Sequence, residues 1–288
     1  MSTPAPPTPL PRSRGVGESL SNVEILSGYL ALLVRSVRAA FAYRANTVMS
    51  FMTGVFTASI IWMVWWRVYE QGKPVGAPPR ELLFPYLILA FCLNYAFTVN
   101  SEFRVAQRIR MGLIATDLLK PLDFQGMQLA QSLSDFVFNA TLASLVFMGS
   151  SAFMGRALAP ASPSALAFFA VGMVLGFLIQ FGVVFLFVQG IFYTLNNYGI
   201  QVARGALHAT FSGLSAPLSM FPASLRLVGA FLPFQYVIYK PVLLYQGQLV
   251  GAEAWRTLGE QALWAAGLIL TGRWIFIRIV RSLEVQGG

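Results

Sequence analysis

Long apolar segments recur along this chain, and they constrain its fold more than any other feature does. A helix that crosses a bilayer needs roughly 20 mostly apolar residues. Six segments approach this requirement, although the fifth is weaker because it carries Arg204 and His208. The pattern predicts an all-α membrane protein with six transmembrane helices. The six segments are residues 46–68, 82–101, 132–154, 164–195, 200–221 and 256–280.

The composition agrees with a chain whose surface largely faces lipid. Only 11% of the residues are charged and 56% are hydrophobic, whereas a soluble domain has about 25% charged residues. The net charge of +9 comes from Lys and Arg residues that mostly flank the apolar runs. This placement favours topology signals and contact with anionic lipid over nucleic-acid binding. The single cysteine, Cys92, excludes an internal disulfide and a cysteine metal cluster.

The distribution of positive charge predicts the orientation of the chain. Six spans place both termini on one side of the membrane, and most of the 20 Lys and Arg residues fall on that side. Loops rich in Lys and Arg stay in the cytoplasm. Both termini are therefore predicted to be cytoplasmic.

The region before the first span divides into two parts. Residues 1–18 are proline-rich and are predicted to be a disordered tail. Residues 19–44 are predicted to form an interfacial amphipathic helix, because Leu26, Leu30 and Leu33 recur at helical spacing. The six-helix transmembrane domain then covers residues 45–288.

A basic, amphipathic segment follows the second span at residues 104–124, RVAQRIRMGLIATDLLKPLDF. Gly112 allows a bend, and the Lys120-Pro121 pair ends any helix. The predicted topology puts this segment in the cytoplasm, where a short helix with exposed leucines needs a partner because an apolar patch in water is a liability. The alternative is a solvated loop whose charges only set the topology.

A second irregular segment lies before the last span, at residues 225–245. It is apolar, but Pro233 and Pro241 interrupt it. Proline breaks a helix in its interior, and non-helical backbone at membrane depth is tolerated only where protein covers it. The segment is therefore predicted to be re-entrant or interfacial, on the outer side.

Four motifs in order resemble one family of membrane proteins. They are FAYRAN at 41–46, RIRMGLIATDLLKPLDF at 108–124, LPFQYVIYKPVLLYQGQLVG at 232–251 and RIVRSLEVQGG at 278–288. Over about residues 20–288 the chain resembles the permease subunits of bacterial ABC-2 type exporters, in the branch whose chains end in Gly-Gly. The resemblance implies the type V exporter fold in the cytoplasmic (inner) membrane, with an N-terminal interfacial helix, a cytoplasmic coupling helix and outer re-entrant helices.

The resemblance also implies partners for this chain. Segment 104–124 would be the coupling helix seated in a groove of an ATPase. The implied ATPase-coupling residues are Arg108, Arg110, Leu113, Asp117 and Leu118.

ATP hydrolysis is expected on a separate chain. The sequence contains no GxxxxGK[ST] phosphate loop, so no cofactor is expected on this chain, and ATP and Mg would be bound by two copies of the ATPase subunit. A second permease half is also implied, with a related chain favoured over a second copy. The GMVLG motif at 172–176 fits either a dimer interface or ordinary internal packing.

Polar residues inside the predicted spans are candidates for the translocation pathway, because polar groups at membrane depth are costly. Asp135 and Asn139 share a helix face and could meet Arg204 or line the pathway, while the alternative for Asp135 is a structural ion pair. The alternative for His208 is a hydrogen-bonded packing residue. The candidate pathway residues are Asn94, Asn139, Gln180 and His208.

Three functions remain open at this point. An exporter would carry a hydrophobic or amphipathic compound through these spans. A membrane-embedded enzyme acting on lipid-like substrates would need converging acid, base and nucleophilic groups, and the supply of such groups is small. A passive channel would need no amphipathic coupling segment. No catalytic or metal site is predicted on this chain.

Overall fold

The computed structural model describes residues 44–72, 77–99, 101–119, 122–154, 158–194 and 198–282. The tail predicted at 1–18 and nearly all of the interfacial helix predicted at 19–44 lie outside these ranges and stay predictions. Every regular element in the described ranges is helical. The helices are α1 Arg44–Glu70, α2 Arg80–Ala96, α3 Ser101–Arg110, α4 Ile114–Leu118, α5 Phe124–Met154, α6 Pro163–Thr194, α7 Tyr198–Phe211, α8 Ala223–Ala230, α9 Tyr239–Tyr245 and α10 Ala252–Ser282, with single 3-10 turns at Leu218–Met220 and Pro233–Tyr236.

Four stretches of the described chain are long and apolar enough to cross a membrane, and a bent pair of short helices could make a fifth. These four coincide with the second, third, fourth and sixth predicted spans, which confirms an all-α membrane protein. Helix α1, with 27 residues, covers the first predicted span, and the count of six stays a prediction. The four stretches are Arg80–Arg110, Phe124–Ala152, Pro163–Thr194 and Ala252–Arg281.

The fifth predicted span, 200–221, is shorter than the sequence pattern indicated. Helix α7 has 14 residues, about 21 Å at 1.5 Å per residue, and it ends at Phe211. The chain turns at Gly213, whose φ is +81°, a conformation that glycine adopts readily. The Tyr86 hydroxyl donates to the Gly213 carbonyl at 2.5 Å. A side chain at Gly213 would collide with that hydroxyl, so this turn requires glycine. The apolar residues after Phe211 lie outside the helix.

Helix α5 begins eight residues before the apolar run that predicted it. Asp123 caps the helix, because its carboxylate accepts a hydrogen bond from the Gly126 backbone N–H at 2.9 Å. The first turns contain the buried Gln125 and Gln128, and the Gln125 amide donates to the Ile269 carbonyl on α10. Hydropathy therefore identified the lipid-facing part of α5 and missed its polar start.

Helix α6 lies at the centre of the bundle and contacts α3, α7, α9 and α10. It is apolar on all sides, as expected for a buried helix. Glycines let neighbouring helices approach α6 closely. A Cβ atom added to Gly182 of α6 would lie 2.7 Å from the Leu268 Cβ on α10. A Cβ atom added to Gly272 of α10 would lie 2.9 Å from the Phe185 ring on α6. The α6–α10 contact thus depends on one glycine from each helix.

The GMVLG motif packs inside the chain. A Cβ atom added to Gly172 would lie 3.2 Å from a methyl group of Leu244. A Cβ atom added to Gly176 would lie 3.3 Å from the carbonyl oxygen of Val237. Both glycines are buried against the segment that precedes α10. Of the two interpretations of this motif, the structure favours internal packing.

The irregular segment 225–245 contains the predicted break. Helix α8 and the stretch Pro233–Tyr245 are bent by 78° relative to each other. Pro233 stands at the bend, whereas Pro241 lies in the first turn of α9, where its missing N–H costs nothing. A bend of this size is what a re-entrant or broken segment requires.

Candidate functional site

The segment between α2 and α5 forms a compact elbow, defined here as residues 101–119. Helix α3 ends at Arg110, the chain turns through Gly112, and α4 runs back from Ile114. Gly112 has φ +67°, and the Leu113 N–H donates to the Arg108 carbonyl at 2.9 Å. The predicted bend at Gly112 is therefore present, and it divides the predicted coupling helix into two.

An ion pair holds the two helices of the elbow together. The Arg108 Nη2 donates to the Asp117 Oδ1 at 2.6 Å, and its Nε donates to the other carboxylate oxygen. Asp117 is buried and Arg108 half-buried. Two parallel bonds between a guanidinium and a carboxylate fix orientation as well as distance. The pair therefore sets the angle between α3 and α4.

The elbow exposes apolar side chains both at its turn and just after α4. Met111 and Leu113 are exposed at the turn, and Leu119, which follows the last residue of α4, is 85% exposed. These exposed residues, together with Arg110, are called the tip of the elbow here. Arg110, the last residue of α3, is also exposed. The elbow therefore exposes a mixture of basic and apolar groups, which is a composition found at interaction surfaces.

The inner side of the elbow packs on the bundle. Val105 is fully buried with Phe181 and Phe185 of α6, and Ile109 and Ile114 pack against the same cluster. The inner side of the elbow is thus continuous with the hydrophobic core of the bundle.

Two further ion pairs connect α3 to two other helices. Arg204 of α7 contacts Glu102 with distances of 2.5 Å and 3.1 Å between paired nitrogen and oxygen atoms. Arg104 donates to Asp135 of α5 at 2.6 Å. The structural ion pair considered for Asp135 is therefore present, with Arg104 as its partner. The partner that the structure gives Arg204 is Glu102.

Sequence reasoning missed Glu102 as a partner in this region. Glu102 is 2% exposed and lies in the first turn of α3. The same turn holds Ser101, whose hydroxyl lies 3.2 Å from that of Ser132 on α5. A carboxylate at the end of an apolar run requires a partner, and this signal was available in the sequence.

The predicted coupling residues fall in three different settings. Arg108 and Asp117 come together in the ion pair, while Arg110 and Leu113 lie on the exposed tip. Leu118 is the last residue of α4, and its side chain lies outside the described part of the chain.

The predicted pathway residues do not form one group. The His208 Nε2 lies 3.1 Å from the Asn94 Oδ1, so these two meet between α7 and α2. Asn139 instead donates to the Thr98 carbonyl at 3.1 Å. Gln180 is buried in α6, and its side-chain oxygen has no hydrogen-bond partner among the described residues. Of the four candidates, Asn94 and His208 contact each other, whereas Asn139 contacts the backbone.

An apolar cleft of about 410 Å³ opens between α1, α2 and α5. Ser59 and Ser150 supply the few polar groups of its lining, and Asn94 lines an adjoining smaller pocket. The cleft suits an apolar chain or ring better than a charged group. Its principal apolar lining residues are Val55, Trp62, Leu87, Phe91 and Val146.

Comparison with known proteins gives one family. The family described as "ABC-2 family transporter protein" matches residues 78–287, which includes the elbow and every helix from α2 to α10. No curated protein matches the chain.

Proposed function

Because the chain belongs to the ABC-2 transporter family, we propose that it is the permease subunit of an ATP-driven exporter and that its elbow engages a separate ATPase. Family membership and the apolar helices make it a multi-pass membrane protein and a transport component rather than an enzyme. The ATPase, the substrate and the orientation in the cytoplasmic membrane belong to the proposal.

The observation that carries the proposal is the construction of the elbow. Its exposed tip has apolar and basic side chains, including Leu119 and Arg110. Its interior is fixed by the Arg108–Asp117 pair. A loop that only sets topology needs neither a buried ion pair nor a tip of this composition, whereas a docking element needs both a fixed shape and an apolar contact surface.

The ion pairs of α3 supply a route from the elbow into the bundle. When ATP closes a bound ATPase dimer, the tip moves with it. Arg108 and Asp117 keep α3 and α4 moving as one body. The Glu102–Arg204 pair then transmits the displacement to α7, and the Arg104–Asp135 pair transmits it to α5. Small shifts at a docking site become discrete rearrangements because packed helices are not continuously deformable.

The partners proposed follow from the family and the resemblance. ABC-2 permeases generally work with an ATPase partner. We assign two ATPase copies that bind ATP and Mg, and a second permease half, with a related chain favoured over a second copy. The direction of transport is export, with both termini in the cytoplasm.

The proposed cargo is a hydrophobic or amphipathic compound. The cleft between α1, α2 and α5 supports this class because its lining is almost entirely apolar. Pockets of this kind hold ligands mainly by apolar contact, and a few polar groups orient them. Asn94, which lines the adjoining pocket, and His208, which contacts Asn94, are the polar groups proposed for that role. Asn139 and Gln180 are further pathway candidates.

A matched pair of substitutions tests the docking role of the elbow. Leu119→Glu places a charge on the exposed tip, and Val250→Glu makes the same change at a residue 63% exposed before α10. The tagged chain is purified in mild detergent from its native membranes, and the co-purified nucleotide-binding subunit and its ATPase activity are measured. We expect Leu119→Glu to reduce recovery of the ATPase subunit at least tenfold, because a buried unpaired charge at an interface centre costs several kcal/mol. Val250→Glu should leave the recovery unchanged.

Asp117→Ala separates docking from coupling in the same experiment. The tip remains apolar, but α3 and α4 lose the bond that fixes their angle. The ATPase should still co-purify, while its activity no longer responds to transported compounds.

Equal recovery with Leu119→Glu and wild type would refute docking at the elbow. If wild type brings down no ATPase at all, the exporter proposal itself fails.

A further inference from the structure

One face of α10 ends in a cluster of positive charge. Leu263, Leu270, Trp274 and Ile277 are exposed and recur at helical spacing, so they form a single apolar stripe. Arg281 continues this stripe in the last turn of the helix. The guanidinium carbon of Arg278 lies 3.6 Å from the centre of the Trp274 ring. Apolar surface thus leads directly to an aromatic ring and two arginines.

The position of these arginines along the helix matches the depth of lipid headgroups. Trp255 and Trp274 are both exposed, and their separation along α10 is about 28 Å at 1.5 Å per residue. A bilayer hydrocarbon core is about 30 Å thick, and tryptophans concentrate at its two boundaries. Arg278 and Arg281 follow Trp274 by one and two turns, which places them beyond the hydrocarbon at the level of phosphate groups.

The charge of the cluster is not neutralised by the described part of the protein. Among the described residues, no carboxylate pairs with Arg278 or Arg281, whereas the nearby Arg273 lies 3.4 Å from Asp123. A second aromatic–arginine cluster lies at the opposite end of the bundle, where Arg80 stands 5.9 Å from the Trp66 ring centre. There Glu70 accepts hydrogen bonds from Trp66 and Arg67. Within the described residues, no such carboxylate pairs with the two arginines of the α10 cluster.

From this combination we infer that the end of α10 is a binding site for an anionic phospholipid. Arg278 and Arg281 contact the phosphate and headgroup, Trp274 packs beside the glycerol region, and Leu270 and Leu263 contact the acyl chain. Arginine binds phosphate through paired donors, and the ring behind Arg278 limits its side-chain motion. The site does not depend on the proposed ATPase partner, because it is built from residues that face lipid.

Lipid quenching of Trp274 tests this site directly. The full chain is reconstituted in phosphatidylcholine vesicles that contain increasing fractions of phosphatidylglycerol with brominated acyl chains. The Trp274 fluorescence is obtained as the difference between wild type and Trp274→Phe, since the chain has 6 tryptophans. Brominated phosphatidylcholine is the reference quencher. We expect phosphatidylglycerol to quench Trp274 at a much lower mole fraction than phosphatidylcholine.

Arginine variants assign the preference to the cluster. In the Arg278→Gln/Arg281→Gln variant the preference for phosphatidylglycerol should fall, by roughly fivefold for each arginine near an anionic surface. The Arg278→Lys/Arg281→Lys variant keeps the charge and the insertion signal, so it should retain most of the preference. Arg226→Gln, at an exposed arginine of α8, should change nothing.

Three outcomes would overturn the site. The first is equal quenching of wild-type Trp274 by the two lipids. The second is a preference that survives the double glutamine substitution. The third is a Trp274 signal that neither lipid quenches, which would mean that a protein covers this face. The wild-type comparison decides the question even if the glutamine variant does not fold.

Discussion

At the scale of single residues, the charges near the elbow occur in pairs. Glu102 and Arg204 are both largely withdrawn from water, and their two hydrogen bonds compensate for the lost hydration. Helix α3 contributes a charged residue to two further ion pairs. These are Arg104 with Asp135 and Arg108 with Asp117. A charge left without its partner in such a place is strongly destabilising, so each pair is also a constraint on which helices stay together.

The Glu102–Arg204 pair provides a stability test at this scale. Glu102→Ala should lower the free energy of unfolding by about 3–5 kcal/mol, because Arg204, whose side chain is only 16% exposed, would lose its counter-charge. Arg67→Ala removes an i,i+3 pair in which the arginine is 76% exposed, and should cost at most about 1 kcal/mol. The measurement is reversible unfolding in mixed micelles. Similar losses for both variants would show that α3 and α7 are not held by this pair.

At the scale of elements, close helix approach organises the bundle. Inside a membrane there is little hydrophobic force between helices, so small residues and tight packing hold them together. The close approach of α6 and α10 occurs at Gly182 and Gly272. The close approach of α6 and the bent segment before α10 occurs at Gly172 and Gly176. These glycines allow α6 to approach both α10 and the bent segment closely.

Glycine substitutions separate this packing effect from helix propensity. Gly182→Ala should destabilise the protein by about 1–3 kcal/mol, the usual effect of overpacking, because its Cβ would lie 2.7 Å from the Leu268 Cβ. Gly267→Ala is the matched control, since no atom lies within 4 Å of the added Cβ. Thermal unfolding in detergent should therefore show a loss for the first variant only. A lower midpoint for both would indicate a backbone effect rather than a packing effect.

At the scale of the whole molecule, the elbow and the start of α10 lie at opposite ends of the bundle. Asp123, just after the elbow, contacts Arg273 near the end of α10. Val250 precedes the start of that helix, about 34 Å away along its axis at 1.5 Å per residue. If the helices cross a bilayer as proposed, the elbow and Val250 face different compartments.

Single-cysteine labelling tests this orientation. Cys92 is the chain's one cysteine, so Cys92→Ser supplies a background for Leu119→Cys and Val250→Cys, both at exposed positions. A membrane-impermeant maleimide should label Val250→Cys in intact cells and Leu119→Cys only in inside-out vesicles. Labelling of both positions from the same side would contradict the predicted topology.

The sequence by itself determined the fold class and the location of most helices. A helix satisfies its backbone hydrogen bonds within one segment, so apolar length, Pro233 and Gly112 carry the information locally. The bend of the elbow and the break before α10 were predictable for this reason. The coupling and pathway assignments stay predictions.

Tertiary structure decided the partners. Arg204 pairs with Glu102, and the GMVLG glycines contact a segment of the same chain. Helix α7 ends two residues before Gly213, whose carbonyl accepts a hydrogen bond from Tyr86. The reason is that each of these contacts joins residues far apart in sequence. Periodicity along one segment identifies which face of a helix is apolar, but the helix that covers that face is fixed only when the whole bundle packs.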